Sequence, residues 1–184
     1  MSKMMSILKS DIKNWYYLKI KKMTEREMKL EYLKKIGMKI GEECYFFSDK
    51  IETAEPYLIT IGNHVTIAPD VAFATHDASA NFYLKEVSDI YGRINIGNYV
   101  FIGMGSIILP GVTIADHVII AAGSVVTKSF LDGGIVIGGN PARKIGTIDE
   151  LKKKNKDKKL MTWGMSFVEK KKYLLQNEEL FRKV

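Results

Sequence analysis

Three histidines and one cysteine are the residues of this 184-residue chain best suited to nucleophilic, acid–base or metal chemistry. His64, His76 and His117 each stand in the fourth place of a six-residue unit. Imidazole titrates near neutrality, which suits a general base. Regular spacing continues past His64 and His117, so both read as corner residues. It stops at His76, where a long irregular segment begins, so His76 is the candidate functional histidine. Asp77 beside it is placed either to orient the ring or to hold the segment. Cys44 lies far from this point in sequence and is no obvious nucleophile. A zinc site built on three histidines needs them to converge. Here His64 and His76 are separated by two hexads and His117 lies far beyond both.

The elements that position His76 follow from a repeat. Ile96, Ile102, Ile108, Ile114, Ile120 and Val126 are branched aliphatics at every sixth position. The residue after each is mostly small. The same register runs earlier through Ile61, Ile67 and Phe73, with a weaker copy at Ile40. A period of six fits neither a helix nor a single alternating strand. It fits a solenoid of short strands, three hexapeptides to a circuit, each circuit stacking on its neighbours. Residues 78–93 break the register and read as a loop thrown out of the stack. Loops longer than about 12 residues inside compact domains are usually functional or disordered. Phe82, Tyr83 and Tyr91 suit one that packs on something.

Composition bounds the rest. The 46% apolar content excludes a disordered chain, and one cysteine excludes an internal disulfide framework. No apolar run approaches the roughly 18 residues of a membrane span, and no signal peptide is visible, so a cytoplasmic protein is expected. Charge is uneven: residues 1–40 carry net +7, residues 41–147 net −5 and residues 148–184 net +5. No nucleic-acid-binding machinery accompanies the basic flanks. They read as solvated helices or as a peripheral contact with an anionic membrane. Three parts are expected: a helical flank over 1–38, a β domain over 39–147 and a helical, Lys-rich flank over 148–184. In the first, Leu8, Ile12, Trp15 and Tyr16 share a stripe, and Thr24 with Glu27 has capping-box spacing. In the last, residues 149–160 read as a polar helix or linker. Phe167, Tyr173, Leu174 and Phe181 fall near one face of a helix beyond it.

The Ile-Gly units, the break after Thr75-His76-Asp77, the run Ile120–Lys128 and Gly139-Asn140-Pro141-Ala142-Arg143 together resemble the hexapeptide-repeat acyltransferases. The resemblance covers about residues 40–147 and is nearest to sugar and polysaccharide O-acetyltransferases. It implies a left-handed parallel β-helix, a homotrimer with active sites between subunits, and acetyl-CoA as co-substrate. It implies direct transfer to a sugar hydroxyl with His76 as base. Phe101 takes the place where relatives often have a Trp lining the pantetheine groove. Gly103 and Met104 match the oxyanion position; relatives often have Ser where Met104 stands, so only its backbone N–H can serve. Ala122, Thr127, Lys128 and Arg143 match coenzyme contacts, the cations facing phosphates. Ser48, Asp49 and Glu55 match acceptor contacts. The fold also carries amine and antibiotic acetyltransferases (streptogramin and chloramphenicol types), γ-class carbonic anhydrases and silent scaffolds; the spacing of the three histidines does not match the carbonic-anhydrase zinc pattern, so no metal is expected. The loop, His76 and the Asn-Pro-Ala-Arg turn favour a transferase.

Overall fold

The computed structural model describes residues 23–48, 51 and 54–181. The stripe Leu8–Tyr16 and Asp49 lie outside them. The chain forms two units, residues 1–145 and 146–184.

Among the described residues, the first unit opens with helix α1 (Glu25–Lys35). The capping box is present: Glu27 N–H donates to the Thr24 hydroxyl, and Thr24 N–H donates to the Glu27 carboxylate at 2.7 Å. Gly37 at φ 107° turns the chain out of the helix into the first strand. Buried Leu33, with Leu30 beside it, joins the core. A polar helix thereby covers the open end of a repeating stack.

Three sheets follow, visited in rotation, their hexad strands paired in parallel. The first holds β1 (Lys39–Ile40), β3 (Ile59–Ile61), β8 (Ile94–Ile96) and β11 (Thr113–Ile114). The second holds β2 (Tyr45–Phe46), β4 (Thr66–Ile67), β9 (Phe101–Ile102), β12 (Ile119–Ile120), β14 (Ile135–Gly138) and β15 (Arg143–Thr147). The third holds β5 (Ala72–Phe73), β10 (Ile107–Ile108) and β13 (Val125–Val126). Asn95 pairs with Thr113, Phe101 with Ile119 and Ile107 with Val125, so one circuit takes three hexads.

The hexad aliphatics face inward in columns. Ile40, Ile61, Ile96 and Ile114 line up on the first sheet. Phe46, Ile67, Ile102, Ile120 and Ile137 line up on the second, and Phe73, Ile108 and Val126 on the third. All are buried except Ile40, which packs against the cluster. Buried Ser106 and Ser124 both donate to the Ala121 carbonyl, so neither hydroxyl is left unsatisfied.

The small residue after each aliphatic reflects close stacking, since a Cβ on Gly62 would collide with Gly97 and one on Gly97 with Asp116; the left-handed corners fall two places later. His64, Asp70, Tyr99 and His117 all have φ between 55° and 58°, and Gly105, Gly111 and Gly123 take similar left-handed angles. His76 occupies the equivalent hexad place but belongs to a strand. There the chain leaves the stack as β6 (His76–Asp77), which pairs antiparallel with β7 (Ile90–Tyr91). Ile59 pairs with Ile94, so the excursion makes this circuit nearly twice as long as the ones after it.

In the second unit, α2 (Ile148–Lys154) and α3 (Phe167–Gln176) start at capping boxes on Thr147/Glu150 and Ser166/Glu169. Phe167 is exposed while Tyr173 and Leu174 are half-buried, so the expected common face is split. Phe181 lies past the end of α3.

Candidate active site

His76 sits at the root of the loop, on the corner that follows the third sheet. Glu55 occupies the same corner one circuit earlier. Its carboxylate oxygen Oε2 accepts from the Thr75 hydroxyl at 2.5 Å and from His76 Nδ1 at 2.9 Å. A carboxylate only accepts, so Nδ1 carries the proton and Nε2 presents its lone pair. Thr75 is buried and Glu55 nearly so, its side chain 13% exposed, whereas that of His76 is 38% exposed. The fixed partner is therefore inside and the reactive edge outside. Tyr91, opposite His76 in the two-stranded ladder, tilts toward the imidazole with ring centres 5.8 Å apart.

The hydrogen bond to Glu55 is the main cause that raises the His76 pKa above its ordinary value, with the nearby charges of Glu55, Asp89 and Asp77 adding to it against desolvation. Glu55 is lowered, first by the Thr75 hydroxyl and then by His76. The pair's contribution to stability is lost as pH rises through the His76 value, and lost again as pH falls through that of Glu55. Asp77 accepts from the Ser79 N–H at 2.9 Å and caps the short 3-10 turn Ala78–Phe82. It holds the loop, and the carboxylate bonded to the ring is that of Glu55.

Gly92 fastens the loop's return. Its N–H donates to the Thr75 carbonyl at 2.9 Å. A Cβ there would collide with Gly111 N and Pro110 C, both backbone atoms. Gly92→Ala should thus shift β7 off the stack and lower turnover more than it lowers the melting temperature. Parallel loss of both would refute a local effect.

The remaining candidates fall into two groups. Phe101, Gly103, Met104 and Ala122 cluster at the end of the second sheet. A Cβ on Gly103 would collide with Ala122 N, and the Met104 carbonyl accepts from Gly123 N–H at 2.8 Å. Phe101 and Met104 side chains are exposed. Thr127 and Lys128 lie at the end of the third sheet, on the edge that also bears His76, two circuits away. Strand spacing of about 4.8 Å makes that separation roughly 10 Å. Arg143 is exposed at the start of β15. A single chain brings His76 together with Glu55 and Thr75, but not with Met104, which follows a different sheet.

Ser48 is buried, 1% exposed, and its carbonyl accepts from Lys29. It offers no surface to an acceptor. Glu55, expected as an acceptor contact, serves His76. The signal for it lay in the spacing: Glu55 precedes His76 by the same offset that separates Lys39 from its partner Thr60 and Tyr45 from its partner Thr66. His64 and His117 stack on opposite sides of Tyr99 at centre distances of 4.4 and 4.8 Å, away from His76. Among the described residues no three His, Cys, Asp or Glu side chains are grouped to hold a metal ion.

Residues 93–128 match the family described as bacterial transferase hexapeptide (six repeats). Protein CapG of Staphylococcus aureus is 46% identical over 158 residues, covering 84% of this chain and 91% of CapG. A maltose O-acetyltransferase from Clostridium difficile 630 superposes with a TM-score of 0.55 at 30% identity, over 67% of this chain and 76% of that one. A galactoside acetyltransferase in complex with coenzyme A superposes with a TM-score of 0.52 at 25% identity, over 79% and 82% of the two chains. With its hexads stacked in three sheets and these relatives matched over most of its length, the chain belongs to the bacterial hexapeptide-repeat transferases. It is an acyltransferase.

Proposed function

We propose that the protein transfers an acetyl group from acetyl-CoA to a hydroxyl of a sugar or glycan precursor. The Glu55–His76 pair at the root of the inserted loop carries this reading. The relatives that are galactoside and maltose acetyltransferases support the donor and the acceptor class.

Donor and acceptor meet in one ternary complex. The acceptor hydroxyl gives its proton to Nε2 of His76 as its oxygen bonds to the thioester carbonyl carbon. The backbone N–H of Met104 steadies the oxyanion. Collapse of the intermediate breaks the carbon–sulfur bond, and the coenzyme's sulfur recovers the proton from His76. No acyl-enzyme is needed. Cys44 is buried, and burial raises its pKa, which suits a structural thiol. The pantetheine arm runs past Phe101 and Gly103 to the amides near Ala122. Thr127, Lys128 and Arg143 face the phosphates.

The three-hexad circuits form a left-handed β-helix in this reading, with helical flanks before residue 39 and after residue 147. The assembly is a homotrimer. His76 and Met104 stand at the ends of different sheets, so the corner of one copy completes the site of the next. Acetyl-CoA as donor places the work in the cytoplasm.

Calorimetric titration with acetyl-CoA, followed by coenzyme release against a saccharide panel, tests the proposal. Binding near one site per chain and release only with a saccharide are expected. No acetyl-CoA binding would overturn it. The His76 shift gives a further check. Activity should rise with pH through a midpoint above the ordinary histidine value of 6.5, since only the neutral ring accepts a proton. Glu55→Gln replaces the carboxylate whose hydrogen bond, and then charge, raise it, so the midpoint should move down toward 6.5. An unmoved profile would detach Glu55 from the base.

A further inference from the structure

Within the C-terminal unit, large apolar side chains stand in solvent beside a dense run of lysines. Trp163 is 85% exposed and Phe167 82%; Met161, Val168 and Leu175 are exposed as well. Residues 152–172 hold nine lysines against two acids, Asp157 and Glu169. On α3, Phe167, Lys171 and Leu175 follow one another at four-residue steps, so apolar tips and ammonium groups share one exposed stripe. Isolated exposed apolar residues are ordinary; a group of them against a cationic run marks an interaction surface.

We propose that this surface docks on an anionic lipid bilayer. The transferase chemistry is not needed for this inference. An indole prefers the headgroup level of a membrane, where its ring is apolar and its N–H stays wet. Lysines beside it meet lipid phosphates while their stems lie along the apolar boundary. Nucleic acid would use the lysines and the rings but has no place for Met161, Val168 and Leu175, whereas acyl chains do. No helix among the described residues is long and apolar enough to cross a bilayer, so the contact is superficial.

Flotation of the full chain with vesicles tests this. Binding is expected to an equal mixture of phosphatidylcholine and phosphatidylglycerol at low salt. It should be weak to phosphatidylcholine alone and should fall as salt is raised. With Trp15→Phe in place, Trp163 is the sole tryptophan, and its emission should move to the blue on binding. The pair Trp163→Ala/Phe167→Ala should lower partitioning at least about tenfold. Lys170→Gln/Lys171→Gln/Lys172→Gln should do so through a different term, with the apolar tips intact. Four results would each overturn the proposal. These are no flotation at low salt, flotation without a shift in Trp163 emission, and tighter capture by a single-stranded oligonucleotide than by vesicles. The fourth is loss of self-association, rather than of lipid binding, in the aromatic pair; it would mean that a second copy covers the patch.

Discussion

His76→Ala is expected to lower acetyl transfer by about 10²- to 10⁴-fold, the range a positioned general base supplies. The deficit should fall on turnover, with acetyl-CoA affinity retained, because the imidazole serves the proton and not the donor's length. The fold should tolerate the change. The side chain of His76 is 38% exposed, so truncation opens no core cavity. Thr75 stays bonded to Glu55, which keeps the carboxylate from being stranded. Steady-state rates, acetyl-CoA titration and thermal melting of the same preparation separate these quantities. Near-normal turnover would remove His76 as the base. Collapse of the melting temperature would instead make it a structural residue.

Ile102→Ala should do the reverse, costing about 2–5 kcal/mol of stability as a buried Ile-to-Ala truncation typically does. Ile102 is fully buried midway in the second sheet's column, with Ile67 on one side and Ile120 on the other. The stack relaxes poorly around such a void. Each circuit is fixed by the ladder above and below, so neighbouring coils cannot close in without breaking backbone hydrogen bonds. Activity per folded molecule should persist at low temperature. Chemical denaturation of variant and parent measures the cost. A change below about 0.5 kcal/mol, the scale of ordinary surface substitutions, would show the column to be loosely packed.

What could be read in the chain before folding was the part that repeats. Ile96 to Val126 reports its environment at every sixth position, because each inward site sees the same kind of neighbours. The break at His76 was legible as the failure of that rule, and the strand that forms there confirms a departure from the corner geometry of His64 and His117. Glu55 was legible only as an acidic residue near the site. The first circuit is half a hexad longer than the regular ones after the loop, so a ruler of three hexads misses its alignment with His76. Asp77 adjoins His76 in sequence, yet successive residues of an extended chain point to opposite faces, and its carboxylate turns to Ser79 instead. Ser48 was read as an acceptor contact from its match to the family, and that match carries no information on its burial.

The excursion between His76 and Gly92 leaves the ladder undisturbed on both sides: Thr60 meets Asn95 in the same parallel register that Asn95 keeps with Thr113. The loop is thus a cassette plugged into a standard socket. Its length and composition are free to drift without retuning the scaffold, provided the two ends remain a strand pair closed by a glycine. A lineage carrying this architecture can exchange one short segment at little risk to folding, while the coils on either side stay as they are.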